Sequence, residues 1–189
     1  MKKVLLILMA LLISMSMLLT ACHNAPENLE DSEGLEYASL HDGTCYLKGI
    51  GKCTDTDVVI PAISPDGDSV IFIQQKAFAG CTNLKSVTIP RSVVAIDLGA
   101  FEGCTGLKSM TIPSSVIMIG KSAFKGCTGL TSMIIPKSVT SIGADAFSGC
   151  TKLADVYFTG TEKEWKAMLI ESGNEALTNA TVHYNYVSK

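Results

Sequence analysis

Between residues 78 and 158 one pattern of apolar and polar positions is written four times. Phe78, Phe101, Phe124 and Phe147 stand 23 residues apart, as do Cys81, Cys104, Cys127 and Cys150. Leu84, Leu107, Leu130 and Leu153 keep the same interval, as do Ile89, Ile112 and Ile135, and Pro90, Pro113 and Pro136. Within a unit, Leu-x-x-Val-x-Ile ends in the alternation of a half-buried strand. The proline after it stops that strand, because it has no N–H for a ladder. Val93 and Ile96 predict a return segment on the other side. Ala100-Phe101 predicts a tight helical turn, Gly103 its left-handed exit, and the Thr105 hydroxyl a cap on the next bend.

A fixed period of 20–50 residues marks a stacked array, in which each unit buries its apolar face against its neighbours. Stacking predicts that the four phenylalanines form one spine. "VVIP" at 58–61 matches "VTIP" at 87–90 and reads as a damaged earlier copy. Its offset, Pro61 to Pro90, is 29 residues, and the extra length fits the Pro/Gly-rich "AISPDG" at 62–67. A loop absorbs such an insertion cheaply, since closure entropy grows slowly with length.

The ends depart from the pattern. Asp42-Gly43 signals a hairpin, so residues 36–57 read as an N-terminal β cap. At the other end, Thr161-Glu162-Lys163-Glu164 is a capping box opening a short helix. That helix would turn Trp165 and Met168 toward the last rung. "TVHYNY" at 181–186 alternates like a final strand. The expected organisation is repeats over 58–158 and a C-terminal helix-strand cap over 159–189.

These motifs resemble the BspA-like (Treponema-type) leucine-rich repeat, a 23-residue version with Ala-Phe and Cys at fixed places. The resemblance covers about residues 36–187. It implies an α/β-type solenoid with a parallel sheet on the concave face and short helical turns. It also implies a place among bacterial surface proteins that bind proteins or cells. Gln74 and Asp97 depart from it where Gly120 and Gly143 follow it, and Tyr157-Phe158-Thr159 replaces the Ile-Pro step.

The N-terminus changes the picture from a domain to an exported domain. Met1-Lys2-Lys3 precedes a nearly continuous apolar run from Val4 to Leu19, the layout of a secretory signal over 1–21. About 16 apolar residues fall short of the roughly 20 needed to span a bilayer. Leu19-Thr20-Ala21-Cys22 resembles a lipobox, which implies cleavage before Cys22 and a lipid on its sulfur. Two or more acyl chains anchor a protein stably where one does not. Residues 22–35 are acidic and read as a flexible tether. Loss of Lys2 and Lys3 leaves 13 basic against 18 acidic residues, a net charge of −5. That balance offers no basic track for nucleic acid phosphates.

Little in the sequence suggests chemistry. Four cysteines in a column lie in a line, whereas a metal needs ligands converging on a point. They read as buried free thiols packing as small hydrophobes. Cys45 and Cys53 flank the expected hairpin of an exported chain and are candidates for a disulfide or for two free thiols. His23 lies in the tether, and His41 and His183 lie in opposite caps. No nucleophile elbow, phosphate loop or His-Glu-x-x-His occurs. The expectation is a protein that is not an enzyme and holds no cofactor or metal.

The outward positions of the expected strands form two columns. One runs Asp57, Ser86, Ser109, Ser132, Asp155; the other runs Val59, Thr88, Thr111, Ile134, Tyr157. They are the candidate binding face, with Ile134 and Tyr157 as its apolar end, since tyrosine is enriched in hot spots. The functional expectation is a lipid-anchored cell-surface module contacting proteins or glycans. The alternative is a structural spacer or assembly component of the cell envelope.

Overall fold

The structure is a computed structural model and describes residues 30–187. The signal segment and Cys22 lie outside the described residues. Each regular unit contributes a strand, a turn at the proline, a second strand of two residues (five in the first, Ser69–Ile73), and a run of tight turns carrying Phe and Cys. The first set of strands is β3 (Asp57–Val59), β5 (Ser86–Thr88), β7 (Ser109–Thr111), β9 (Ser132–Ile135) and β11 (Asp155–Phe158). The second set is β4 (Ser69–Ile73), β6 (Ala95–Ile96), β8 (Met118–Ile119) and β10 (Ser141–Ile142). All pairs between successive rungs are parallel and in register, with Ser109 opposite Ser132 and Ile96 opposite Ile119. The architecture is a solenoid of parallel strands, as the period predicts.

Stacking puts equivalent side chains in columns. Phe78, Phe101, Phe124 and Phe147 are each 0% exposed. Their rings stack at centroid distances of 5.0, 5.2 and 5.3 Å with interplanar angles of 3°, 4° and 12°. The Leu, Ile, Val and Ala columns at the repeat positions are buried along the same interior. Glycine marks where rungs approach too closely for a side chain. A Cβ on Gly129 would lie 2.2 Å from the Thr105 carbonyl oxygen, and one on Gly143 2.6 Å from the Lys121 nitrogen.

The corners differ from the expected helical turns. Ala100 N–H donates to Asp97 O, Glu102 N–H to Gly99 O, and Cys104 N–H to Phe101 O. These three-residue steps close successive turns, and none propagates into a helix. Gly103 leaves them with φ +74°. Thr105 closes the next bend through its backbone N–H, 2.8 Å from Gly103 O. The cap there is main-chain geometry, which threonine shares with any residue that has an N–H.

Both ends are closed by different means. β1 (Glu36–Ser39) and β2 (Thr44–Gly49) form an antiparallel hairpin across Asp42-Gly43, and β2 continues in parallel onto β4. At the far end Thr161 caps α1 (Glu162–Ala167), with its N–H 2.7 Å from Glu164 Oε2. Trp165 meets Phe158 edge-on at 5.2 Å, and Met168 is buried. β12 (Leu169–Ile170) then joins β10, and α2 (Glu175–Thr178) leads to β13 (Thr181–His183) beside β11.

Cys45 and Cys53 stand as free thiols in this structure, the second of the two states the sequence leaves open. Cys45 lies inside β2, opposite Ser39 on one side and Val70 on the other, with its thiol toward Asp68 O at 3.7 Å. Cys53 sits past the end of β2 in a separate turn, closed by its N–H on Ile50 O.

Candidate polar face and its aromatic end

Alternation along the short strands turns every second side chain outward. Val87, Met110, Met133 and Val156 point into the core, so Ser86 and Thr88, Ser109 and Thr111, Ser132 and Ile134, and Asp155 and Tyr157 line the other side. In-register pairing lines these up as the two expected columns. The face is longer than that. β13 adds Thr181 beside Asp155 and His183 beside Tyr157, a sixth rung that lacks the repeat motif.

The face is not one continuous sheet. β3 pairs with β5, and β7, β9, β11 and β13 form a separate four-stranded sheet. No ladder joins β5 to β7, while the opposite side runs unbroken through β1, β2, β4, β6, β8, β10 and β12. At its N-terminal end, Asp57 Oδ1 accepts from Ser86 Oγ at 2.6 Å and Oδ2 accepts from Thr56 Oγ1 at 2.9 Å. These hydroxyls, Ser86 first, hold the Asp57 carboxyl below the ordinary range. The charge is therefore partly engaged by the protein itself.

The C-terminal end is built differently. The Tyr157 ring stacks on His183 at 4.7 Å and 15°, and Tyr186 leans against it at 4.8 Å and 48°. Asp155 Oδ1 lies 2.7 Å from His183 Nε2. Tyr186 N–H donates to Phe158 O, which folds the terminal segment back beside the last strand. Three aromatic rings, a carboxylate and half-buried Ile134 thus share one end of an otherwise Ser/Thr surface. Sequence reasoning located Tyr157 and Asp155 but left His183 in the cap. The signal available was Thr181-Val182-His183, which copies the outward–inward–outward pattern of Asp155-Val156-Tyr157. Glu164 is occupied with Thr161.

The inner thiols are structural. Cys104, Cys127 and Cys150 each donate to the Phe carbonyl of the preceding rung at 3.1 Å. Burial pushes Cys104 up to about 12. The neighbouring Cys150 thiol and then burial hold Cys127 well above the ordinary thiol value. Thiols raised in this way are poor nucleophiles, while the bond from Cys127 lowers Cys150. Among the described residues no group of three or more His, Cys, Asp or Glu side chains could hold a metal ion. No helix among them is long and apolar enough to cross a membrane.

Comparison with known proteins gives a consistent picture. The family model "BspA type Leucine rich repeat region" matches residues 56–181 as six copies. A crystal structure of a leucine-rich cell surface protein from Faecalibacterium prausnitzii is similar at 26% identity and a TM-score of 0.59, over 75% of this chain and 42% of that one. A leucine-rich repeat protein from Bacteroides capillosus is 27% identical with a TM-score of 0.58, over 69% of this chain and 96% of that one. A leucine-rich repeat protein of T. pallidum, at 24% identity and a TM-score of 0.55, shares the fold over 69% of this chain and 71% of that one. The chain spans less than half the length of the Faecalibacterium relative. No curated protein sequence matches it.

Proposed function

Since the chain belongs to the BspA-type leucine-rich repeat family, we propose that it is a non-enzymatic binding module displayed on the outside of a bacterial cell. It contacts a protein or glycan through the polar face and is held to the membrane by a lipid on Cys22. The observation that carries this reading is the cluster of Tyr157, His183, Tyr186 and Asp155. Tyrosines gathered at one spot supply the rigid, amphipathic contact area typical of hot spots. The surrounding Ser and Thr hydroxyls form the polar rim that such a spot needs. The neighbour from Faecalibacterium prausnitzii, described as a cell surface protein, supports the location.

A face of six short strands is only about 25 Å across at strand spacing. An interface that small is of the weak class, so many anchored copies would act together through avidity. The experiment is capture of ligands from panels of surface proteins and glycans, with wild type, Tyr157→Ala and Ile134→Ser compared on equal footing. Binding that drops at least tenfold in both variants supports the face. A ligand captured equally by all three proteins overturns it. Cys22→Ser tests the anchor separately: the variant should leave the membrane fraction, and unchanged partitioning removes the lipid from the account.

A further inference from the structure

The thiol column has a fifth member that the 23-residue period hides. In the regular rungs Phe78 N–H donates to Ala100 O at 2.8 Å and Phe101 N–H to Ala123 O at 2.7 Å. Ile50 N–H donates to Ala77 O at 3.1 Å, so Ile50 holds the phenylalanine position of the rung before the first repeat. Cys53 N–H then closes on Ile50 O at 2.9 Å, as Cys81 N–H closes on Phe78 O at 3.1 Å and Cys104 N–H on Phe101 O at 3.2 Å. Cys53 therefore occupies the cysteine position directly above Cys81. The spacing is 28 residues because the intervening segment carries the insertion at 62–67.

These two cysteines differ from the three below them. Cys104, Cys127 and Cys150 are buried and each donates its thiol to a carbonyl, whereas Cys53 and Cys81 are half-buried. Among the described residues neither Cys53 nor Cys81 donates a sulfur hydrogen bond. Both pack on the edge of the same core. Adjacent rungs lie about 4.8 Å apart, inside the roughly 4.4–6.8 Å window of Cα separations that a disulfide spans. Burial, and then the neighbouring Cys53, raises the Cys81 thiol, in keeping with their proximity.

We propose that Cys53 and Cys81 are a redox pair that forms a disulfide when the chain meets an oxidised thiol–disulfide compound, stapling the N-terminal cap to the first repeat. The Cys53 thiolate attacks the reagent disulfide, releasing one thiol and leaving a mixed disulfide. Cys81 then attacks the Cys53 sulfur and releases the second thiol. Two electrons and the two protein thiol protons end on the reagent, which is reduced to two thiols. The bond closes a loop that contains the irregular segment 62–67, where exposed Ile63 and a single isolated bridge to Ser69 replace the regular ladder. Oxidised dithiol proteins of an extracytoplasmic compartment are the chemical class that would supply the oxidising equivalents.

The test treats the full chain, folded and in detergent at pH 8.5, with oxidised glutathione, then blocks remaining thiols and digests with trypsin. Cleavage after Lys48, Lys52, Lys76 and Lys85 puts Cys45, Cys53 and Cys81 on three different peptides. The expected product is peptide 53–76 joined to peptide 77–85. The oxidised protein should also melt roughly 5–10 °C above the reduced one, from closure of a loop of this length. Cys53→Ser and Cys81→Ser should each abolish both effects, and Cys45→Ser neither. Should a variant fold poorly, the linked peptide in wild type decides alone. A link from Cys45 to Cys53, or no link after prolonged oxidation, overturns the proposal.

Discussion

The phenylalanine spine makes a prediction about position that an ordinary core would not make. Phe124 stacks on two rings, Phe101 at 5.2 Å and Phe147 at 5.3 Å, whereas Phe147 stacks on Phe124 alone. Both side chains are 0% exposed, so burial does not distinguish them. Replacing either by leucine keeps most of the apolar area and removes the ring-on-ring part. Each stacked pair is worth about 0.5–1.5 kcal/mol beyond burial. Phe124→Leu should then cost roughly 2 kcal/mol and Phe147→Leu roughly 1 kcal/mol, plus a small repacking penalty common to both. Losses of this size are large against a total stability of about 5–15 kcal/mol. Urea denaturation followed by far-UV circular dichroism measures them, with the denaturant slope checked for constancy between variants. Equal costs, or a greater cost at Phe147, would refute the idea that the spine is held rung to rung.

Two further outcomes follow from local geometry. Lys76, Gly99, Ser122 and Asp145 all sit at the same repeat position with φ between 56° and 61°. The left-handed region costs a side-chain-bearing residue about 1–2 kcal/mol, and glycine gives back part of that in chain entropy. Ser122→Gly should therefore raise stability by roughly 0.5–1 kcal/mol in the same urea assay, and a destabilised variant would contradict the strain. Tyr37 has a buried hydroxyl without a hydrogen-bond partner, and burial, with lesser contributions from Cys45, Asp31 and Cys53, moves it from 10.0 to about 12. Its contribution to stability is complete below pH 10 and is lost as pH rises through 12, because the folded state keeps a proton that the unfolded state releases. Ultraviolet titration of the native protein should show a tyrosine ionising near 12, and a Tyr37→Phe variant should lack that step.

The parts of this fold legible in the sequence are those where stacking imposes identity. A column of phenylalanines 23 apart can be read as a spine because equal spacing in stacked rungs lays each ring on the next. The same holds for the serine and threonine columns, whose outward direction follows from alternation around Val87 and Met110. Features carried by the main chain were not legible. Thr105 bends the chain through its N–H, so the hydroxyl that suggested a cap has no part in it. The gap between β5 and β7 has no residue signature, since both strands carry the same Ser-x-Thr sequence. The place of Cys53 is set the same way, by the bonds of Ile50 and Cys53 to the main chain, and its 28-residue distance from Cys81 hides it from the period.

This division also bears on where recognition can evolve. Every inward position of a middle rung touches the rungs above and below, so changing it disturbs two interfaces at once. Outward positions are freer, but in the middle of the array they still adjoin copies of themselves, and here all but Ile134 remain serine and threonine. The last rungs have a neighbour on one side that need not obey the pattern. That is where Tyr157 replaces the threonine of earlier strands and where His183 and Tyr186 arrive from outside the repeat. The cluster can form there because β13 copies the backbone of a rung without copying its sequence. Chemical identity therefore concentrates at the end of the array, while the regular middle supplies the rigidity that holds the three rings in place.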